Sequence, residues 1–137
     1  MAKIKFGTDA WVKELQSQLN ASPAYEESAK TWEGDFYFLV EPGGAVTEPV
    51  YIYLDLWHGK CRDAFIAPNK DAKKPAYVMS GPYARWIKVV TAQLDPLQAL
   101  ATGQLKLKGN MIMVMKHVKA AQEIIKACTR IDTEFAT

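Results

Sequence analysis

Gln104-Leu105-Lys106-Leu107-Lys108, followed at once by Gly109-Asn110-Met111-Ile112-Met113-Val114-Met115, is the stretch on which the architecture turns. Its first five residues set Leu105 and Leu107 against Lys106 and Lys108. Successive strand side chains point to opposite faces, so this alternation predicts a strand with one dry side and one wet side. A sheet solvated on one face needs its apolar face covered, and the helical spacings on either side of the strand supply the cover. The expected class is therefore α+β, layered, and neither a sandwich nor a doubly wound sheet. The methionine-rich run behaves differently. At about 100° per residue, the five apolar residues from Met111 to Met115 point in nearly every direction, so one packing face does not account for them. Either other helices, a partner subunit or a ligand lies against them besides the sheet, or they form the buried start of a helix in an irregular core. Methionine's unbranched, polarizable side chain suits a surface that adapts to varied shapes.

Upstream, Trp11, Leu15 and Leu19 recur at intervals of four beside Val12, and Thr8 or Asp9 is placed to cap that helix. Ser22-Pro23 reads as a second cap, leading a helix into Tyr25 to Lys30. From Trp32 the period becomes two, with Phe36, Phe38 and Val40 on one side and Tyr37 and Leu39 on the other, until Pro42-Gly43-Gly44. Val50, Ile52, Leu54 and Leu56 alternate in the same way with Tyr51, Tyr53, Asp55 and Trp57. A turn at Gly59 leads into a strand from Cys61 to Ala67. Pro68, Asn69 and a lysine-rich loop through Lys74 precede a short strand at Tyr77 to Met79. Such closely spaced strands predict an antiparallel meander, because parallel neighbours need long crossovers. Helical spacing returns with Tyr83, Trp86, Ile87 and Val90 on one side. Asp95-Pro96 starts a short helix ending before Gly103, and Asn110 caps a last helix reaching about Cys128, with Ile112, Met115, Val118, Gln122 and Ile125 along one side.

The chain has 137 residues, 49% of them apolar and 23% charged, which predicts one folded domain over residues 1–137 and argues against disorder. The formal charge of +2 comes from lysines and arginines interspersed with acids, so the concentrated basic face of a nucleic-acid reader is not expected. Two cysteines, Cys61 and Cys128, fit a reducing, cytoplasmic setting better than a disulfide framework. The first residues, Met1 to Phe6, do not read as a secretory leader.

The segment Asp95-Pro96-Leu97-Gln98-Ala99-Leu100-Ala101-Thr102-Gly103-Gln104-Leu105-Lys106-Leu107-Lys108-Gly109-Asn110-Met111-Ile112-Met113-Val114-Met115-Lys116 resembles the C-terminal signature of the sterol carrier protein 2 (SCP2) lipid-binding family, and Tyr77-Val78-Met79-Ser80 resembles the strand that introduces its preceding helices. The resemblance implies an SCP2-like, mostly antiparallel sheet of five strands covered on one face by helices. Between the two layers it implies an apolar cavity for a fatty acid, fatty acyl-CoA, sterol or related lipid. It also implies that Gly103 and Gly109 bound the fifth strand, that Leu105 and Leu107 face inward, and that Met111 and Met115 lie toward the cavity. Met113, Phe36, Phe38, Trp86, Ile87 and Val90 complete the candidate lining. The polar contact at the mouth is left among Tyr25, Tyr37, Tyr51, Tyr53, Tyr83 and Arg85.

A carrier of this kind needs a dry volume and an entrance, not a nucleophile, metal or cofactor. No enzyme, metal or cofactor is expected. The expected partners are a lipid or other apolar small molecule, a membrane touched transiently and a second copy of the chain; nucleic acid is not among them. The rival reading is a protein-interaction scaffold with a closed core. Ranked last is a small enzyme built on His58 and Cys61 with Asp63, because these fall around a hairpin turn where closeness in sequence needs no chemistry. As metal ligands, His58 and Cys61 are two of the usual four. His117 is expected at a rim position, and Lys70, Lys73, Lys74, Lys106 and Lys108 as solvated side chains.

Overall fold

Polar caps start four of the helices in the computed structural model, which describes residues 3–44 and 46–135. After β1 (Ile4–Lys5), the Thr8 hydroxyl accepts from the Trp11 N–H to open α1 (Asp9–Asn20), and Ser22 accepts from the Tyr25 N–H to open α2 (Pro23–Ser28). Each cap satisfies an N–H that the first helical turn would otherwise leave unpaired. The strands β2 (Glu33–Glu41), β3 (Val50–Trp57), β4 (Lys60–Ala67) and β5 (Tyr77–Pro82) follow, then α3 (Tyr83–Val90) and α4 (Pro96–Ala101), whose cap is Asp95. The chain continues through β6 (Lys106–Lys108), α5 (Met111–Lys116) capped by Asn110, α6 (Val118–Thr129) and β7 (Thr133–Glu134).

The main sheet has five strands in the order β4-β3-β2-β5-β6, and β1 pairs with β7 in a separate two-stranded ribbon. The expected α+β architecture is present, with helices over one face and antiparallel pairing at every junction of the main sheet but one. That exception corrects the simple meander. β5 runs parallel to β2, with Phe38 opposite Met79. The crossover contains no helix: residues 68–76 return across the face opposite the helices, where the Tyr37 hydroxyl accepts from the Lys73 N–H at 2.9 Å and Lys73 Nζ lies 5.3 Å from the centre of the Tyr53 ring. An irregular loop suffices because the sheet's own tyrosines hold it down.

Register carries the alternation across the whole sheet. Ile66, Ile52, Phe38, Met79 and Leu107 are successive partners in one row on the helix side. Phe65, Tyr53, Tyr37, Val78 and Lys108 form the neighbouring row on the far side. Leu107 thus faces the helices, and Lys106 and Lys108 are exposed. The regular pairing begins at Lys106, so Leu105 lies just before the strand; it is nonetheless only 1% exposed and packs in the main core. Gly109, at φ +133°, makes the turn from β6 into α5, and a Cβ there would lie 2.6 Å from the Tyr77 ring. That backbone region belongs to glycine.

The expected single last helix is two. At His117 the backbone turns to φ −118°, ψ 41°, and the His117 N–H pairs with the Val114 carbonyl, three residues back. The Met113 carbonyl, its normal helical acceptor, lies instead 2.8 Å from the imidazole Nδ1. A side chain that takes an acceptor from the backbone ends the helix there. The interruption shifts the phase, so α6 buries Ala120, Ile124, Ala127 and Cys128 rather than the stripe of Val118, Gln122 and Ile125. Among the described residues, no helix is long and apolar enough to cross a membrane.

Candidate functional site

Between the helix side of the sheet and the helices above it lies an apolar cleft. Its sheet-side wall is aromatic: Trp32, Phe36, Phe38 and Trp86. Ring centres along this wall are separated by 5.7 Å for Trp32 and Phe36, 5.5 Å for Phe36 and Phe38, and 5.1 Å for Phe38 and Trp86. Both indole N–H groups are satisfied by backbone carbonyls, Trp32 by Gly34 and Trp86 by Leu39, each at 2.9 Å. Their polar atoms are thereby removed from the cleft, leaving ring faces and edges as its surface.

The opposite wall comes from α4, α5 and α6, through Leu97, Val114, Ala120, Ala121, Ile124 and Ile125. Two consecutive alanines on α6 leave space where larger side chains would meet the aromatic wall. A water-sized sphere can occupy about 60 Å³ here, and the whole cleft, including the part open to solvent, is about 610 Å³. An apolar cavity of about 150 Å³ holds one benzene-sized molecule. The space that a water-sized sphere can occupy here is smaller than that.

Polar groups on the lining are few. Burial pushes the Tyr25 hydroxyl well above the ordinary range for a phenol, with the nearby Cys61 adding to the effect. Of the six side chains expected to include the polar contact, only Tyr25 borders the cleft. Tyr37 and Tyr53 are on the far face, their hydroxyls engaged by the Lys73 backbone and by Asp35. His117 sits at the edge of the lining, with its Nε2 3.0 Å from the Thr31 hydroxyl and its ring edge-on to Trp32 at 5.0 Å.

Among the candidate lining residues, Phe36, Phe38 and Trp86 border this cleft. Leu105 and Leu107 face the helices but lie beside it, Leu107 one strand out from Met79, which does border it. Ile87 is half-buried on another side of α3, and Val90 borders a separate depression with Thr91, Cys128 and Ile131. The inward expectation for the methionines is corrected. Met111 and Met115 are 41% and 52% exposed, and Met113 is half-buried, because the short α5 turns only Val114 fully inward. The residues not anticipated from sequence are chiefly those of α6, whose phase depends on the interruption at His117.

The arrangement weighed for catalysis is not assembled. His58 Nε2 pairs with Glu33 at 2.6 Å, and its ring stacks on Trp57. The Cys61 thiol donates to the Asp63 carbonyl at 3.4 Å and is pushed up to about 12 by burial, reinforced by Asp55. A thiol held protonated in this way is a poor nucleophile at neutral pH. Among the described residues, no group of three or more His, Cys, Asp or Glu side chains could hold a metal ion.

Residues 12–122 match the SCP-2 sterol transfer family. The hydroxysteroid dehydrogenase-like protein 2 of Xenopus tropicalis is 30% identical over 104 residues, and the match covers 76% of this chain but 22% of that protein. The chain therefore spans about a fifth of the length of this curated relative. A crystal structure of sterol carrier protein 2 superposes with a TM-score of 0.83 at 34% identity, covering 93% of this chain and 99% of the other. The solution structure of a conserved hypothetical protein from Thermus thermophilus gives a TM-score of 0.87 at 32% identity, covering 98% of this chain and 94% of the other.

Proposed function

The chain belongs to the SCP-2 sterol transfer family, and from that premise we propose that it binds an apolar ligand between Phe36, Phe38 and Trp86 on one side and α6 on the other, and transfers it. The observation that carries this reading is the cleft itself, an aromatic wall with its N–H groups turned away, faced by a helix that presents two alanines. Burying each CH₂ of an acyl chain contributes about 0.8 kcal/mol, so contact along part of a fatty acid drives binding without a dedicated polar site.

A fatty acid or fatty acyl group is the ligand favoured here. The cleft is narrow, and a flexible chain requires less widening of it than a rigid sterol. Tyr25 supplies a polar contact toward the carboxyl or thioester end. No chemical step is assigned to His58 or Cys61. The whole chain, residues 1–137, acts as one lipid-binding domain, and its two buried thiols suit a reducing, cytoplasmic setting.

Native mass spectrometry of the protein purified from cells, followed by organic extraction, tests the reading. The expected result is a mass increment matching an extractable fatty acid or acyl compound. A chain that is folded, carries no such increment and fails to take up a fluorescent fatty acid would instead favour the scaffold reading.

A further inference from the structure

Helix α5 carries most of its apolar surface outward. Met111, Ile112 and Met115 are 41%, 67% and 52% exposed, while Val114 turns in to border the cleft. At about 100° per residue, Met111, Met115, Ile112 and Lys116 occupy one continuous arc of the helix surface. Single exposed apolar side chains need no explanation, but three together on one short helix do.

In sequence, the charges flanking this tip are all of one sign. Lys106 and Lys108 precede it, Lys116 and Lys119 follow it, and all four are exposed. Between Asp95 and Glu123 the sequence contains no aspartate or glutamate. Three lysines elsewhere are in ion pairs, Lys30 with Glu27, Lys60 with Glu26 and Lys126 with Glu123, and no ion pair forms at these four among the described residues. An apolar tip set among unpaired lysines is complementary to a surface with an anionic outer layer and an apolar interior.

We infer that α5 docks this protein on an anionic lipid bilayer, with Ile112, Met111 and Met115 entering the headgroup boundary and the four lysines meeting the lipid phosphates and carboxylates. Three side chains expose a few hundred Å² at most, well short of the roughly 800 Å² per partner that a stable dimer buries. The position of α5 favours a bilayer further. Its inner side, through Val114, is a wall of the cleft, so docking would bring that wall against a source of apolar ligand. This last link rests on the lipid-binding reading, while the docking itself does not.

Cosedimentation of the full chain with vesicles tests the inference. Mixed phosphatidylserine and phosphatidylcholine vesicles should retain the protein at low salt and release it at high salt, and phosphatidylcholine alone should retain far less. The double variant Ile112→Ser, Met115→Ser should bind the mixed vesicles at least tenfold more weakly. Lys106→Gln with Lys108→Gln should also weaken binding, by roughly fivefold for each lysine. Both variants should keep the native urea midpoint and the native affinity for a fluorescent fatty acid without vesicles, since none of the four side chains borders the cleft. Absence of vesicle binding by the unaltered chain would overturn the inference, as would full retention by both variants. So would a concentration-dependent dimer that the Ile112→Ser, Met115→Ser variant abolishes, which would mark the tip as a contact between copies. Vesicle binding without uptake of the fluorescent fatty acid would support docking and count against the cleft as a lipid site; uptake without vesicle binding would do the reverse.

Discussion

The two faces of β2 use aromatic residues in opposite ways. Phe36 and Phe38 look toward the helices, and with Trp32 and Trp86 they form a wall whose polar atoms are turned away or missing. Tyr37, between them in sequence, looks to the other side and joins Tyr53, Tyr51 and Phe65 in a smaller cluster. There the hydroxyls decide the outcome. Tyr37 both accepts from and donates to the Lys73 backbone, and Tyr53 donates to Asp35 at 2.8 Å, so the crossover loop is fastened down and the layer closes. A phenol that finds partners makes structure, whereas bare rings facing small side chains leave a cleft.

Replacing a ring on the helix side should have the largest effect. Phe36→Ala is expected to cost about 3–5 kcal/mol of stability, as for other buried aromatic truncations, and a urea titration reads it directly. A cost below about 1 kcal/mol would mean that the wall is not packed as described. Filling the cleft comes next. Ala121→Leu should reduce affinity for a fluorescent fatty acid at least tenfold, about 1.4 kcal/mol, while leaving the fold intact by circular dichroism. Unchanged affinity would move the ligand elsewhere.

The far face should respond to the loss of one hydroxyl in stability alone. Tyr37→Phe leaves the Lys73 backbone without its partner and should cost about 1 kcal/mol, with fatty acid affinity unchanged. Loss of affinity there would erase the distinction between the faces. The smallest effect concerns Cys61. The folded thiol holds its proton up to about 12, whereas the ordinary value is 9.0. Above about pH 9 the unfolded chain therefore binds fewer protons than the folded one. The stabilisation is complete below that pH and is lost as pH rises toward 12. Between about pH 8 and pH 9.5, Cys61→Ala should flatten the fall in urea midpoint by under about 1 kcal/mol. A parallel fall in both proteins would count against the assignment.

Much of this arrangement was legible as alternation. The Leu-Lys pattern at 104–108 told which face of that strand the helices cover, whereas Phe36 and Phe38 against Tyr37 separated two apolar faces of β2 without saying which one the helices cover. Short polar residues before apolar runs marked the caps at Thr8, Ser22, Asp95 and Asn110. What alternation does not carry is phase across an irregularity. Nothing in Met115-Lys116-His117-Val118 spells a break, since no proline or glycine is present; the break arises because the imidazole occupies the Met113 carbonyl, a contact visible only in three dimensions. Of the α6 residues on the cleft, Ile125 is on the anticipated stripe, whereas Ala120, Ala121 and Ile124 were missed for that reason. The same limit applies to Met111 and Met115, whose apolar character implied burial, although hydrophobicity alone does not say whether the cover is protein or lipid.

The chain's four tryptophans provide the most direct test of where the ligand sits. Trp32 and Trp86 border the cleft, whereas Trp11 lies in the core away from it and Trp57 is exposed. A brominated fatty acid quenches indole fluorescence on contact. Titrated into Trp11→Phe, Trp57→Phe, where only the cleft tryptophans remain, it should quench most of the emission with the same midpoint as binding. In Trp32→Phe, Trp86→Phe it should leave the remaining emission nearly unchanged. Binding that quenches the second variant as strongly as the first would place the ligand outside the cleft and contradict the account.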